Sequence, residues 1–271
     1  MEGQQRGASA QFIPVAVGNY NTGVLAMVVA GRAVLSVPSQ LGCAVACSFC
    51  LSRETPLIRN LTAEEMLMLV HAGLAALPGH DMPIELSFTG EGEPALNWKQ
   101  AALVCRELPA VDRRFSSVRY CFSGLGAHRL LGLLDGGPFP VRLQLSLHAA
   151  REHVRQSLVP NSLPLQAIEA ALMANAHRFT TIELNVVLQD GVNDSDDDLA
   201  ALGEFGDSAW PILLNPLLTR TGAKVAAATD RFESALRTRG RTVKRYGALA
   251  DRISAANIYP RLTAVPVVLA R

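Results

Sequence analysis

Apolar residues recur along this chain in short runs with the length and β-branched content of strands. They are "VLAMVV" (24–29), "RAVLSV" (32–37), "IELSF" (84–88), "VRYCF" (118–122), "VRLQLSL" (141–147), "TIELNVVL" (181–188), "WPILLN" (210–215) and "TVKRY" (242–246). Between the later runs the pattern changes to a helical period. "TAEEMLMLVHAGLAAL" (62–77) opens on Thr62 with Glu65 three residues on, a capping-box pattern. "NWKQAALVCREL" (97–108), "LPLQAIEAALMANAHRF" (163–179) and "SDDDLAALGEF" (195–205) also read as helices. In the last, Ser195 is the expected cap and the aspartates after it favour the helix's positive end. Strand and helix alternating in this way predict an α/β fold with a parallel sheet, open or closed into a barrel. In barrels the working residues stand after the strands' C-terminal ends. Residues 1–34 read as a small N-terminal β extension, 35–225 as the main α/β unit, and 226–271, richer in arginine, as a closing segment.

Composition sets limits without naming a task. A chain of 271 residues suits one large α/β domain or two small ones, and its 49% apolar content is enough for a sizeable core. A net charge of +1 gives no global reason to bind nucleic acid or an anionic membrane. The start, "MEGQQRGASAQF", lacks the charged-then-apolar layout of a signal peptide. The longest early apolar run, Val24 to Ala30, is far too short to span a bilayer. The expectation is a soluble, cytoplasmic protein with no membrane partner.

The candidate chemistry lies in "SQLGCAVACSFCLSR" (39–53), where Cys43, Cys47 and Cys50 follow a C-x3-C-x2-C spacing with Phe49 before the last. An odd total of five cysteines with three crowded together argues for reduced thiols, not a disulfide framework. Three thiolates on one loop can hold a [4Fe–4S] cubane at three irons and leave the fourth open to a ligand. Zinc would need a fourth protein ligand, and neither His71 nor Cys105 gives a familiar zinc spacing. The cluster reading is favoured over zinc or incidental thiols. "SFTGEGEPALN" (87–97) ends a predicted strand, with glycines that let backbone approach a ligand and Glu93 ready to accept from an ammonium. A lone histidine at a strand end, such as His148, is more often a structural hydrogen-bonding residue.

The cysteine spacing resembles that of the radical S-adenosylmethionine (radical SAM) superfamily. "IRNLTAEEML" (58–67), "SFTGEGEPALN", "CFSG" (121–124), "LSLHAAREHVRQSLVP" (145–160), "LQDGVNDSDDDL" (188–199) and "LLNPL" (213–217) resemble, in content and order, the RlmN/Cfr family of RNA-adenine methylating enzymes. The likeness runs from about Leu35 to Asn257. It implies a partial (β/α)6-type barrel, a [4Fe–4S] cluster on Cys43, Cys47 and Cys50, and SAM chelated to the open iron. It also implies SAM contacts from Phe49, Gly92, Glu93, Ser123, Ser146, Leu147, His148 and Asn215. Cys121 stands where the family has a SAM-contacting serine. The resemblance further implies oxygen sensitivity and an electron donor such as flavodoxin or ferredoxin.

Two departures matter. RlmN and Cfr carry one additional cysteine seven residues before the first cluster cysteine and another near the C-terminus; one accepts a methyl group and the other resolves an RNA adduct. Here those positions are Ser36 and Asn257. A hydroxyl is un-ionised at neutral pH and a carboxamide is not a nucleophile, whereas a thiolate is. The expectation is a radical SAM enzyme that abstracts hydrogen from a small-molecule, nucleoside or peptide substrate without methyl transfer, with Ser36 and Asn257 orienting that substrate. The alternative is an RNA-adenine-modifying enzyme, supported by Arg231, Arg237, Arg239, Arg241, Lys244, Arg245 and Arg252; RNA is the less favoured partner. Outside enzymes, the reading is a metal-stabilised binding protein. Cys105 is expected in the core; Cys121, at a SAM-contact position by the resemblance, could be a reactive thiol, though a small strand cysteine is more often a packing residue.

Overall fold

The computed structural model describes residues 9–79 and 81–245. In chain order these form β1 (Ser9–Val17), β2 (Tyr20–Val29), β3 (Arg32–Val37), β4 (Gln40–Leu41) and β5 (Arg59–Asn60). Next come α1 (Ala63–Ala76), β6 (Ile84–Phe88), α2 (Trp98–Val111), β7 (Phe115–Phe122), β8 (Val141–Ser146), α3 (Glu152–Leu158) and α4 (Leu165–Asn175). The chain continues through β9 (Thr181–Val187), α5 (Asp196–Glu204), β10 (Ile212–Asn215), β11 (Leu217–Thr219), β12 (Gly222–Lys224), α6 (Thr229–Thr238) and β13 (Val243–Arg245).

One nine-stranded sheet runs in the order β1-β2-β3-β6-β7-β8-β9-β10-β13. The first three strands pair antiparallel, and from β3 onward every pairing is parallel. This is the expected α/β arrangement, a partial barrel with antiparallel strands at its N-terminal edge. The boundary expected at 34/35 falls inside β3. In the segment expected to close the molecule, β13 extends the sheet beside β10. β1 has no counterpart among the predicted strands. Its "SAQFIPVAV" carries Pro14, which argues against a central strand, and the structure puts it at the sheet edge where proline is tolerated. α3 is also new, because seven residues are too few to show a helical period.

Alternation along the parallel strands separates two faces. Leu35, Leu86, Phe88, Val118, Tyr120, Phe122, Leu143, Leu145, Leu184, Val186, Ile212 and Leu214 enter the main apolar core. Ser36, Ser87, Arg119, Cys121, Gln144 and Asn185, on the other face, line a cavity inside the curve of the sheet. The period of two that identifies a strand therefore also sorts core from site. Below the cavity, Glu85 is met by Arg119 and Arg142 at 2.7 Å each, with Arg32 at 3.8 Å. Glu183 bridges Arg142 (3.5 Å) and Lys244 (2.7 Å). This charged layer ties together β3, β6, β7, β8, β9 and β13, and Arg119 from it also lines the cavity. No helix among the described residues is long and apolar enough to cross a membrane.

Candidate active site

Cys43, Cys47 and Cys50 stand on the loop after β4, are free and half-buried, and line a single cavity of about 390 Å³. The loop is tied to α3: the Ser48 amide donates to Leu158 O at 2.9 Å, and Val45 packs with Val154, Leu158 and Val159 beside Cys43, Cys47 and Phe49. A second tie runs from the Cys43 amide to Thr55 O at 3.3 Å. Burial raises all three thiols, Cys47 to about 12. The neighbouring thiolates add to the rise at Cys43 and Cys47, and Glu91 adds to it at Cys50. Against this, backbone hydrogen bonds with Val45 and Gly92 favour the Cys43 thiolate, and those with Ser52 and Arg53 favour Cys50. Three sulfurs that repel one another, each hydrogen-bonded to backbone, make a donor set that calls for cationic metal. Among the described residues no three His, Cys, Asp or Glu side chains gather as one metal ion would require. Three thiols on one loop fit a cluster that leaves one iron open better than tetrahedral zinc, which needs a fourth ligand.

Glu93 follows β6 and is 1% exposed. Its Oε2 accepts from the Ser123 amide at 2.7 Å and from Ser123 Oγ, and its Oε1 accepts from the Ala95 amide at 3.1 Å. Burial pushes its carboxyl up to about 7, against the pull of the Ser123 and Ala95 hydrogen bonds. The Glu93 amide donates to Gln40 Oε1 at 2.8 Å, and Gln40 Nε2 donates to Asn60 Oδ1 at 2.7 Å. Gly92 sits at φ +91°, and a Cβ there would lie 2.6 Å from Gln40 Cβ. Glycine at 92 is therefore required by both backbone conformation and space.

His148 lies past the end of β8 at φ +58° and is buried. Its Nδ1 accepts from the Val187 amide at 3.2 Å, so the neutral ring carries its proton on Nε2. Burial, helped by the Arg155 charge, drives its pKa down to about 3. Phe49 packs edge-on against the ring at 4.7 Å between centroids. Asn193, from "GVNDS", holds this corner by donating to His148 O (2.6 Å) and Val187 O (2.9 Å). Ser195 caps α5 through a capping box with Asp198, the structural role expected for that motif.

The cavity wall brings together Ser36, Phe49, Gly92, Glu93, Cys121, Ser123, Ser146, His148 and Asn215 with the three cysteines. Leu147 is different: its side chain is buried in the apolar core, away from the cavity wall. Only its backbone can serve the site. Cys121 is not a core packing residue as expected. It faces the cavity, and its Sγ donates to Gln144 Oε1 at 3.4 Å. Cys105 is in the core, 3.5 Å from the Tyr120 hydroxyl. Asn215 donates to Asn185 Oδ1, while its own Oδ1 is buried without a partner. Asn257 lies outside the described residues.

Sequence reasoning missed Gln40, Gln144, Asn185 and Arg155. The inward period of β8 and β9 carries a signal for Gln144 and Asn185; nothing local marks Gln40 or Arg155. The cations expected to favour RNA have partners inside the fold. Arg231 pairs with Asp196, Arg237 with Glu233, Lys244 with Glu183, and Arg245 with Asp230 and Glu233. Arg239 donates to Leu199 O, and Arg241 donates to Phe205 O and Trp210 O. Arg252 lies outside the described residues.

Residues 37–203 match the model of the Radical SAM superfamily. The chain belongs to the radical SAM superfamily. It is therefore an enzyme, which sets aside the binding-protein reading, and its cofactors are a [4Fe–4S] cluster and SAM. It is 32% identical over 220 residues to a probable dual-specificity RNA methyltransferase RlmN of Nocardioides sp., covering 74% of this chain and 58% of that protein. It is 36% identical over 191 residues to the dual-specificity RNA methyltransferase RlmN of Caulobacter vibrioides, covering 64% and 45%. The chain thus spans about half the length of these curated relatives. A crystal structure of a radical SAM methyltransferase from Sphaerobacter thermophilus superposes with a TM-score of 0.76 and 28% identity, over 92% of this chain and 80% of that one. By name, these relatives match the RNA-modifying alternative more closely than the small-substrate reading.

Proposed function

We propose that this radical SAM enzyme binds its cluster through Cys43, Cys47 and Cys50 and abstracts hydrogen from a substrate held beside Ser36, without the thiol-borne methyl transfer of RlmN and Cfr. Bound together, the cluster and SAM supply one-electron cleavage of the sulfonium and a 5′-deoxyadenosyl radical. The chain's own groups prepare that event. Glu93, fixed by Ser123 and the Ala95 amide, accepts from the SAM ammonium. His148 presents its Nε2–H as a neutral donor, and Asn215 offers its unpartnered Oδ1 as an acceptor. Phe49 and the apolar wall of Leu25, Met27, Val34, Leu213 and Leu218 limit the water that a carbon radical would meet.

The observation that carries the reading is Ser36. It is buried in the same cavity wall as the cluster cysteines, at one of the two positions where the family carries an additional thiol. A second reading, RNA-adenine modification, is favoured by the names of the relatives. The pairing of Arg231, Arg237, Arg239, Arg241 and Arg245 within the described residues weighs against a phosphate-binding stripe on that segment.

Anaerobic incubation with methyl-labelled SAM and dithionite tests both readings, with ribosomal RNA or small-molecule candidates as substrate. The wild type should release 5′-deoxyadenosine and leave the label in SAM or methionine. Label in an adenine ring from the wild type would refute the proposal and establish the second reading.

A further inference from the structure

Arg155 is fully buried and lies outside the cavity wall. From α3 its Nη1 donates to Ser146 O at 2.8 Å and to Leu147 O, and its Nη2 donates to Ser123 O. Its Nε is buried without a hydrogen-bond partner. The three carbonyls lie at and just beyond the ends of β7 and β8, and the side chains of Ser123 and Ser146 enter the cavity. Arg155 therefore clamps two strand ends and sets where those hydroxyls point. Among the described residues no carboxylate pairs with it as a salt bridge. Carbonyl dipoles satisfy some of its donors but do not cancel its charge. A guanidinium withdrawn from water without an ion-paired partner is destabilised by its lost hydration.

The missing negative charge has a place nearby. Val154 and Leu158, either side of Arg155 on α3, pack in one group with Cys43, Cys47 and Phe49, and Leu158 O accepts from the Ser48 amide. Burial pulls the Arg155 pKa down to about 10, and Cys47 is the first group that opposes this, ahead of Glu152 and Glu93. We propose that Arg155 is a positioning residue that also acts as fixed counter-cation to the iron–sulfur cluster on Cys43, Cys47 and Cys50, raising its reduction potential. The inference rests on the reading that these cysteines hold the cluster. Reduction adds one electron to a group already made anionic by three thiolates. A buried positive charge close by stabilises the reduced form, and low dielectric strengthens the effect.

The test is the midpoint potential of the reconstituted cluster, followed by electron paramagnetic resonance in a dithionite titration. Arg155→Gln removes the charge, and Arg155→Met is the second charge-removing arm should the first not fold. Either should make the cluster at least tenfold harder to reduce, a drop of about 59 mV or more for one electron. Arg155→Lys keeps the charge but loses the three-carbonyl clamp. Its potential should stay near that of the wild type while its SAM affinity, measured by calorimetry, falls. Unchanged potential in Arg155→Gln or Arg155→Met would overturn the inference, as would an equal drop in Arg155→Lys. Iron and sulfide content keeps the two readings apart: about four irons per chain with no shift refutes only the role of Arg155, whereas no iron refutes the cysteine assignment.

Discussion

Glu93 shows what a single residue contributes at this site. Its carboxyl has an ordinary value of 4.5, raised to about 7 by burial. The folded state therefore holds the proton more tightly than the unfolded chain. The stability this provides is complete below about pH 4.5 and is lost as pH rises through about 7. The full span is on the order of 3 kcal/mol. Denaturation of the metal-free, SAM-free protein between pH 5 and 8 should show stability falling with pH, and Glu93→Gln should flatten the curve. Parallel curves for the two proteins would rule this out. The ammonium of SAM favours the charged carboxylate, so SAM affinity should rise over the same window. Glu93 was legible in the sequence because "GEGEP" follows a strand and carries its own backbone signal. Gln40, which holds the Glu93 amide, was not legible: 53 residues separate donor and acceptor, and nothing local marks such a pairing.

At the scale of elements, helix starts were written locally. Thr62 Oγ1 accepts from the Glu65 amide at 3.2 Å, and Glu65 Oε2 accepts from the Thr62 amide at 2.9 Å. Arg59 adds two bonds of 2.7 Å to the same carboxylate and holds its pKa below the usual range. This ties β5, and through it β4 and the approach to the cysteine loop, to the start of α1. Thr62→Ala should destabilise the protein by about 1 kcal/mol, read as a lower denaturation midpoint. Iron loading should be unchanged, because the cap lies outside the cavity wall. A loss of bound iron would show that the cap also governs the loop. β1 and α3 escaped sequence reasoning for a different reason. The proline-bearing strand and the seven-residue helix have weak local signals, and each is held by what it packs against.

At the scale of the molecule, the charged layer under the cavity links strands that are distant in sequence. Glu85 on β6 meets Arg119 on β7 and Arg142 on β8, and Glu183 on β9 joins Arg142 to Lys244 on β13. Glu85 is 2% exposed, so removing its charge leaves the half-buried Arg119 without its ion-pair partner and Arg142 with Glu183 alone. Glu85→Gln should destabilise the protein by about 3 kcal/mol or more, measured by chemical denaturation. Replacement by glutamine with no measurable loss would mean that water already compensates these arginines.

The sequence by itself determined the α/β alternation, the capped helices, and the cysteine triad with its following Gly-Glu pair. Each depends on neighbours a few positions apart, where periodicity and spacing are direct consequences of backbone geometry. The tertiary structure decided the rest. It turned Cys121 toward the cavity and Leu147 toward the core, paired Arg231, Arg237 and Arg245 with carboxylates of the fold, and set Arg155 on the carbonyls at two strand ends. Those outcomes depend on which strand lies beside which and how the sheet curves. Such pairings bring together residues more than a hundred positions apart, as Ser48 and Leu158 show, and no local pattern encodes them.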